Sequence, residues 1–181
     1  MTSWPRVARR IRVPVGFVFA VIYLWLAQPT VGSILAGTAV IAAGLIVRAL
    51  ASGHVQKNEQ LTTSGPYAYT RNPLYLGSAI LAIGFAVAAR SWWIVTGMFL
   101  IFAAIYWPVI KAEEEFLRAK FSEYEEYAGR VPRLLPRLTP FAKSSSEFSW
   151  LLYRKHREYN ALLGSLALLA ALIIKMTVRA R

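Results

Sequence analysis

The stretch Val31-Gly32-Ser33-Ile34-Leu35-Ala36-Gly37-Thr38-Ala39-Val40-Ile41-Ala42-Ala43-Gly44-Leu45-Ile46-Val47-Arg48-Ala49-Leu50-Ala51 carries a single charge, Arg48, near its end. A helix of about 20 apolar residues crosses the hydrocarbon core of a bilayer, so this run predicts a transmembrane helix whose last turn reaches the interface. Arg48 is expected to snorkel its guanidinium towards the headgroups, as long cationic side chains near helix ends do. Towards the N-terminus, Gln28-Pro29 separates this run from a second one, Val13 to Ala27, which follows a basic start containing Arg6, Arg9, Arg10 and Arg12. A signal peptide also starts basic, but no small-residue cleavage site follows, so a retained first membrane helix is expected.

Towards the C-terminus, Leu74 to Ala89 and Trp92 to Ile110 are apolar runs joined only by Arg90-Ser91, which predicts a tight helical hairpin with a short first arm. A last run, Ala161 to Val178, holds Lys175 near its end and predicts a fifth helix. The expected fold is an all-α integral membrane protein of about five transmembrane helices. Its composition agrees. Of 181 residues 56% are hydrophobic and the mean hydropathy is +0.43, above the roughly 45–50% apolar content of soluble domains.

The chain has no Cys and no Asp, and its only histidines are His54 and His156. Disulfides, thiolate zinc sites and cysteine nucleophiles are thereby excluded, and no metal is expected. The net charge of +12 does not point to nucleic acid, because the basic residues fall at the ends of apolar runs rather than along a stripe interleaved with aromatics. Their distribution predicts the N-terminal arginines, the Ser52–Pro73 loop and the Lys111–Glu158 segment on the cytoplasmic side. Arg90 and a C-terminus bearing Lys175, Arg179 and Arg181 run against that rule.

Ser52 to Pro73 collects the turn-formers Gly53, Asn58, Thr62, Thr63, Ser64, Gly65, Pro66, Asn72 and Pro73, and reads as a loop. After Lys111 eight of the nine carboxylates occur, from Glu113 to Glu158. There Phe116, Leu117, Phe121, Tyr124 and Tyr127 recur at helical spacing and predict one amphipathic helix lying against the membrane face. The prolines of Val131 to Pro140 end it, and Lys143 with the serine triplet begins a surface connection.

The loop contains Leu61-Thr62-Thr63-Ser64-Gly65-Pro66-Tyr67-Ala68-Tyr69-Thr70-Arg71-Asn72-Pro73-Leu74-Tyr75-Leu76-Gly77. This resembles the signature of the isoprenylcysteine carboxyl methyltransferase family and the related phospholipid methyltransferases: G-P-Y, then R-H-P or R-N-P, then Y-x-G. A second block in the family's order follows: Glu113-Glu114, Leu117, Phe121, Tyr124, Tyr127 and Val131-Pro132-Arg133-Leu134-Leu135-Pro136. The two blocks cover about residues 54 to 136.

The resemblance implies a methyltransferase that uses S-adenosylmethionine, with the loop and the amphipathic helix forming a cytoplasmic-face cofactor site. The acceptor it implies is a lipophilic small molecule or lipid entering from the membrane. It further implies cofactor-binding roles for Leu61, Gly65, Tyr67, Arg71, Pro73, Tyr75, Glu113, Glu114 and Tyr127. Glu114, with Glu113, is the leading candidate to hold the amino or ribose part of the cofactor, against the alternative of a solvated helix face. Tyr67, Tyr75, Tyr124 and Tyr127 suit either stacking on adenine or simple interfacial anchoring.

Arg71 and Arg133 are candidates for gripping a carboxylate or phosphate, Arg133 on the substrate side, since a guanidinium binds either group bidentately. His54, Arg71 and Asn72 form the catalytic set. His54 serves as a cofactor contact or an acid or base, or else it bonds free carbonyls at its helix end. Asn72 stands where carboxyl methyltransferases more often have His, which removes a group titrating near neutral pH and departs from a prenylcysteine substrate. Glu115, Glu123, Glu125 and Glu126 read as solvated partners of Lys and Arg.

The whole chain, 1–181, is expected to be one membrane domain: a helix pair at 13–51, a catalytic core at 54–136, and a C-terminal connection and last helix at 137–181. Two other function classes fit the same apolar pattern. One is a sterol-reductase-like membrane oxidoreductase using NADPH, and the other a non-enzymatic membrane adaptor. A transporter would show repeated halves or midplane charges, which this sequence lacks.

Overall fold

The computed structural model describes residues 4–56, 59–141 and 147–179. Asn58, Lys143, the serine triplet, Arg181 and the side chains of Arg9 and Arg12 lie outside those descriptions. Among the described residues every regular element is helical: α1 (Trp4–Leu26), α2 (Val31–His54), α3 (Pro73–Ala89), α4 (Trp92–Lys120), α5 (Tyr124–Arg130), α6 (Trp150–Lys155) and α7 (Tyr159–Arg179), with a 3₁₀ turn at Gly65–Ala68. Three of them, α2, α4 and α7, are long and apolar enough to cross a membrane, and Pro14–Leu26 and α3 are shorter apolar helices. This is the architecture of a helical integral membrane protein.

The α2–α3 pair is the spine. Gly37 and Gly44 on α2 face Gly84 and Gly77 on α3, and a Cβ added at Gly37 would lie 2.6 Å from the Gly84 carbonyl oxygen, one at Gly44 2.9 Å from that of Gly77. With no apolar driving force between helices in lipid, such small residues let two backbones approach and gain van der Waals contact. Gly77 also makes room for the Arg48 side chain. At the far end from the loop, Ser33 Oγ donates to Ala88 O at 3.0 Å and Gln28 N to Ala89 O at 2.8 Å.

The fourth helix departs from the sequence expectation. Instead of stopping at Ile110, α4 continues without interruption through the charged residues to Lys120, and the predicted amphipathic helix is split between this extension and the separate α5. The segment Ala112–Lys120 is made largely of strong helix formers, so charge alone gives the backbone no reason to stop. A π-helical turn at Phe102–Tyr106 precedes Pro108. Pro108 has no N–H to give to Ala104 O four residues earlier, and the indole Nε1 of Trp4 on α1 donates to that carbonyl at 3.1 Å.

Arg48 also differs from expectation. It forms a part-buried ion pair with Glu158, donates to Ser78 Oγ, and lies 3.4 Å from Leu74 O, so it ties α2 to α3 and to the start of α7. The short helix α6 was not foreseen. Its segment docks on the end of α2, where Ser149 N donates to Gly53 O at 2.9 Å and His156 Nδ1 lies 3.1 Å from Ser52 O. Lys175 on α7 donates to the carbonyls of Leu24 and Trp25, the last turn of α1, a favourable place for a cation. The loop end of α2, the start of α3 and the extension of α4 therefore share one face of the bundle.

Candidate active site

On that face the two sequence blocks are laced together by backbone hydrogen bonds. Arg71 N donates to Pro132 O at 2.9 Å, Arg137 N to Tyr69 O at 3.0 Å and Phe141 N to Ala68 O at 2.9 Å. The Thr70 hydroxyl lies 3.2 and 3.0 Å from the carbonyl oxygens of Arg133 and Leu134. Proline-rich backbone cannot continue a helix, and here it runs beside the loop instead.

Beneath the lacing sits Glu114, on the extension of α4, with 3% of its surface exposed. Asn72 Nδ2 donates to its Oε1 at 2.8 Å, and Arg133 donates to Oε2 from Nε at 2.9 Å, with Nη2 at 2.8 Å. Arg71 Nε lies 3.6 Å from Oε1, an ion pair without a hydrogen bond. Asn72 Nδ2 also lies 3.1 Å from Arg133 O, and the Arg133 guanidinium stands over the Trp107 ring at 5.3 Å. One carboxylate thus gathers Arg71 and Asn72 from the first block and Arg133 from the second. Its hydrogen bond raises the Arg133 pKa further above the ordinary arginine value.

The hub has more cations than anions: two guanidiniums meet one carboxylate. Two buried polar atoms beside it, Arg71 Nε and the Tyr124 hydroxyl oxygen, have no partner in good hydrogen-bond geometry among the described residues, although the two side chains lie close enough for the Arg71 guanidinium to oppose the rise in the Tyr124 pKa. Unpaired buried polar groups are costly, and each calls for an explanation in strain or function. The arrangement is one that can accept an anion.

Tyr67, Tyr124 and Tyr127 are core residues here. Tyr124 and Tyr127 pack with Val131, Leu61, Leu117 and Phe121, and the Tyr127 hydroxyl donates to Tyr67 O at 2.7 Å. Burial pushes the hydroxyls of Tyr67, Tyr124 and Tyr127 up from the ordinary tyrosine value. Tyr75 is half-buried and packs edge-on to Tyr106 at 6.1 Å. Pro73 is the buried first residue of α3, with Asn72 as its N-cap. Glu113 is half-buried beside Glu114, whereas Glu125 and Glu126 pair on the surface with Arg118 and Arg130.

His54 is not among the side chains holding Glu114. Its Nδ1 lies 2.7 Å from Leu50 O, and its ring packs against Gly65, where φ is +55° and an added Cβ would strike the imidazole. Phe148 also packs edge-on to the imidazole, with ring centroids 6.2 Å apart. Glycine at 65 thus serves both the left-handed backbone and the close approach. Trp107 and Thr70 belong to the hub but were not singled out from sequence; the Trp107-Pro108 pair at the end of the fourth apolar run was the available signal.

Fold and hub together define a helical membrane protein with a buried, cation-rich polar centre at one end. The family model for phospholipid methyltransferase matches residues 22–124, and the chain belongs to that family. It is 37% identical over 91 residues to a cobalt-zinc-cadmium resistance protein of Cupriavidus metallidurans, covering 50% of this chain and 42% of that one. To a nickel-cobalt-cadmium resistance protein of Alcaligenes xylosoxydans it is 34% identical, covering 50% and 43%. To the protein-S-isoprenylcysteine O-methyltransferase of Schizosaccharomyces pombe it is 29% identical over 143 residues, covering 74% and 59%. The chain therefore spans less than two thirds of the length of these relatives. No solved structure matches it.

Proposed function

We propose that this protein transfers a methyl group from S-adenosylmethionine to a lipophilic acceptor at the membrane interface, with its polar hub on the cytoplasmic side. The observation that carries the proposal is the convergence of Arg71, Asn72 and Arg133 on buried Glu114, which joins the two family blocks into one centre. The donor set suits the cofactor. The excess guanidinium charge, with Arg71 Nε ion-paired to Glu114 but without a hydrogen bond, matches a carboxylate, such as the one at its amino acid end.

When bound, S-adenosylmethionine supplies an electrophilic methyl group on a sulfonium sulfur. Methyl transfer is then a direct displacement, and the protein's work is alignment and exclusion of water. Glu114 acts as a positioning residue: sealed from solvent, it fixes the two guanidiniums and the Asn72 amide. Arg71 and Arg133 bind the anionic end of cofactor or acceptor. The laced segment 131–141 and the tyrosine core cover the hub and keep water out. A carboxylate acceptor needs no base, whereas a phenol or amine loses a proton. His54 is then the candidate base through Nε2, since Nδ1 is engaged by Leu50 O.

Five membrane crossings are part of the proposal, with α1 and α3 joining the three long helices. The charge pattern supports a cytoplasmic hub, since the start of α1, the basic end of that helix, lies towards the hub end of α4: Ala8 packs with Ile105 and Val109.

Binding of S-adenosylhomocysteine to detergent-solubilised variants tests the site. Arg71→Ala and Glu114→Ala, each shown to be folded, are expected to weaken binding at least tenfold, and Glu125→Ala to leave it unchanged. Equal affinities in the three variants would overturn the assignment.

A further inference from the structure

A hollow of about 170 Å³, separate from the side chains that hold Glu114, lies between α2 and the α6–α7 segment, lined by Leu45, Ile46, Ala49, Tyr153, Glu158 and Leu162. It opens sideways: Ile46 and Leu162, at its mouth, are 59% and 41% exposed on helices that cross the membrane. Its lining is apolar except for the Tyr153 hydroxyl and the Glu158 carboxylate. Glu158 is nine-tenths buried, with 10% of its side chain exposed. Its Oε1 is held by Arg48, and its Oε2 has no hydrogen-bond partner among the described residues. Glu158 also lies beyond residues 22–124, the span that matches the family.

A carboxylate buried beside lipid is expensive, and Arg48 offsets its charge. One acceptor oxygen remains, bordering an apolar hollow. An ammonium there would add an uncompensated charge to a pair that is already neutral, whereas a hydroxyl donates a hydrogen bond and adds none. In size the hollow compares with an engineered apolar cavity of about 150 Å³ that binds benzene. It takes one ring or a short chain segment, with the rest of an amphiphile lying in the bilayer along Ile46 and Leu162.

We propose that this lateral hollow is a binding site for a lipophilic phenol or alcohol, whose hydroxyl donates to Glu158 Oε2 and whose apolar body enters from the bilayer between α2 and α7. The site does not depend on the methyl-transfer proposal.

The test uses the full chain in lipid nanodiscs and a photoreactive diazirine derivative of 4-octylphenol, with labelled peptides located by mass spectrometry. Saturable labelling within residues 150–162 or 45–49 is expected, displaced by 4-octylphenol. Octylbenzene and octylammonium should compete at least about tenfold less well, the factor that 1.4 kcal/mol corresponds to. Ala49→Leu fills the hollow without touching the Arg48–Glu158 pair and should abolish the saturable fraction, while the thermal midpoint stays near wild type. Labelling that does not saturate, that octylbenzene or octylammonium displaces as well as the phenol, or that survives Ala49→Leu in folded protein would overturn the proposal. Glu158→Gln is the less clean variant, because it also breaks the pair with Arg48.

Discussion

Replacing Glu114 with Gln keeps the shape of the side chain and removes its charge. The carboxylate is 3% exposed and is held by Asn72 at 2.8 Å and by Arg133 at 2.8 and 2.9 Å. Breaking a buried ion pair from one side costs about 3–5 kcal/mol, because the other charge is left uncompensated. Arg133 is a third exposed, so water screens and recovers part of that cost, and Gln can still accept from Asn72. Arg71, 12% exposed, has less relief. An expected loss of about 2–3 kcal/mol follows. For a domain of 150–250 residues about 1 kcal/mol moves the thermal midpoint by 2–4 °C, so E114Q should melt roughly 4–12 °C below wild type in the same detergent. The assay is thermal unfolding followed by intrinsic fluorescence, with E125Q as the control; Glu125 meets Arg118 at the surface and should show no measurable change. A midpoint for E114Q within a degree of wild type would refute the reasoning that the hub is a buried, charge-coupled centre.

Two further outcomes follow from the packing and from the tyrosine core. Gly84→Ala puts a Cβ 2.7 Å from Ile41 N and 2.9 Å from Gly37 O, so it should destabilise by about 1–3 kcal/mol; Gly164→Ala, which meets nothing within 4 Å, should be neutral or stabilising. Thermal midpoints of the two variants decide it, and equal values would count against close α2–α3 packing. Tyr67, Tyr124 and Tyr127 have folded pKa values raised by burial above the ordinary value near 10. Their neutral forms therefore contribute stability that is complete below about pH 10 and lost as pH rises through the folded values. The midpoint should start to fall near pH 10 and fall less steeply in Tyr127→Phe; an unchanged midpoint up to pH 11.5 would contradict the burial.

Much of this was legible in the sequence because it is local. Apolar runs broken by Gln28-Pro29, Arg90-Ser91 and the polar loop mark the helix ends to within a few residues, apart from the start of α1 and the end of α4. The end of α4 was hidden because hydropathy reports where lipid ends, while Ala112–Lys120 remains good helix. That continuation is what carries Glu114 from the membrane edge to the hub. The Arg48–Glu158 pair was invisible for a different reason: 110 residues separate the partners, and no local pattern encodes such a pairing. Snorkelling is the default only when no carboxylate returns to meet the arginine.

Within the site, residue types were easier to read than geometry. Glu114, Arg71, Asn72 and Arg133 stood out from the two blocks, and all four meet. Their mutual pairing, and the burial of Tyr67 and Tyr127 as core, depend on the fold of segment 131–141 over the loop. His54 was read with two alternatives, and the Leu50 carbonyl now occupies Nδ1 while Nε2 faces Gly65. A phenol or amine acceptor would call on the ring through that second nitrogen, whereas a carboxylate acceptor would not call on it at all.

The most direct measurement is S-adenosylhomocysteine binding to the purified wild-type protein in detergent, by isothermal titration, since it does not require the acceptor to be known. Saturable binding at micromolar concentration, one site per chain, is the predicted result. No binding by protein shown to be folded would contradict the cofactor assignment and put a reductase or adaptor role in its place.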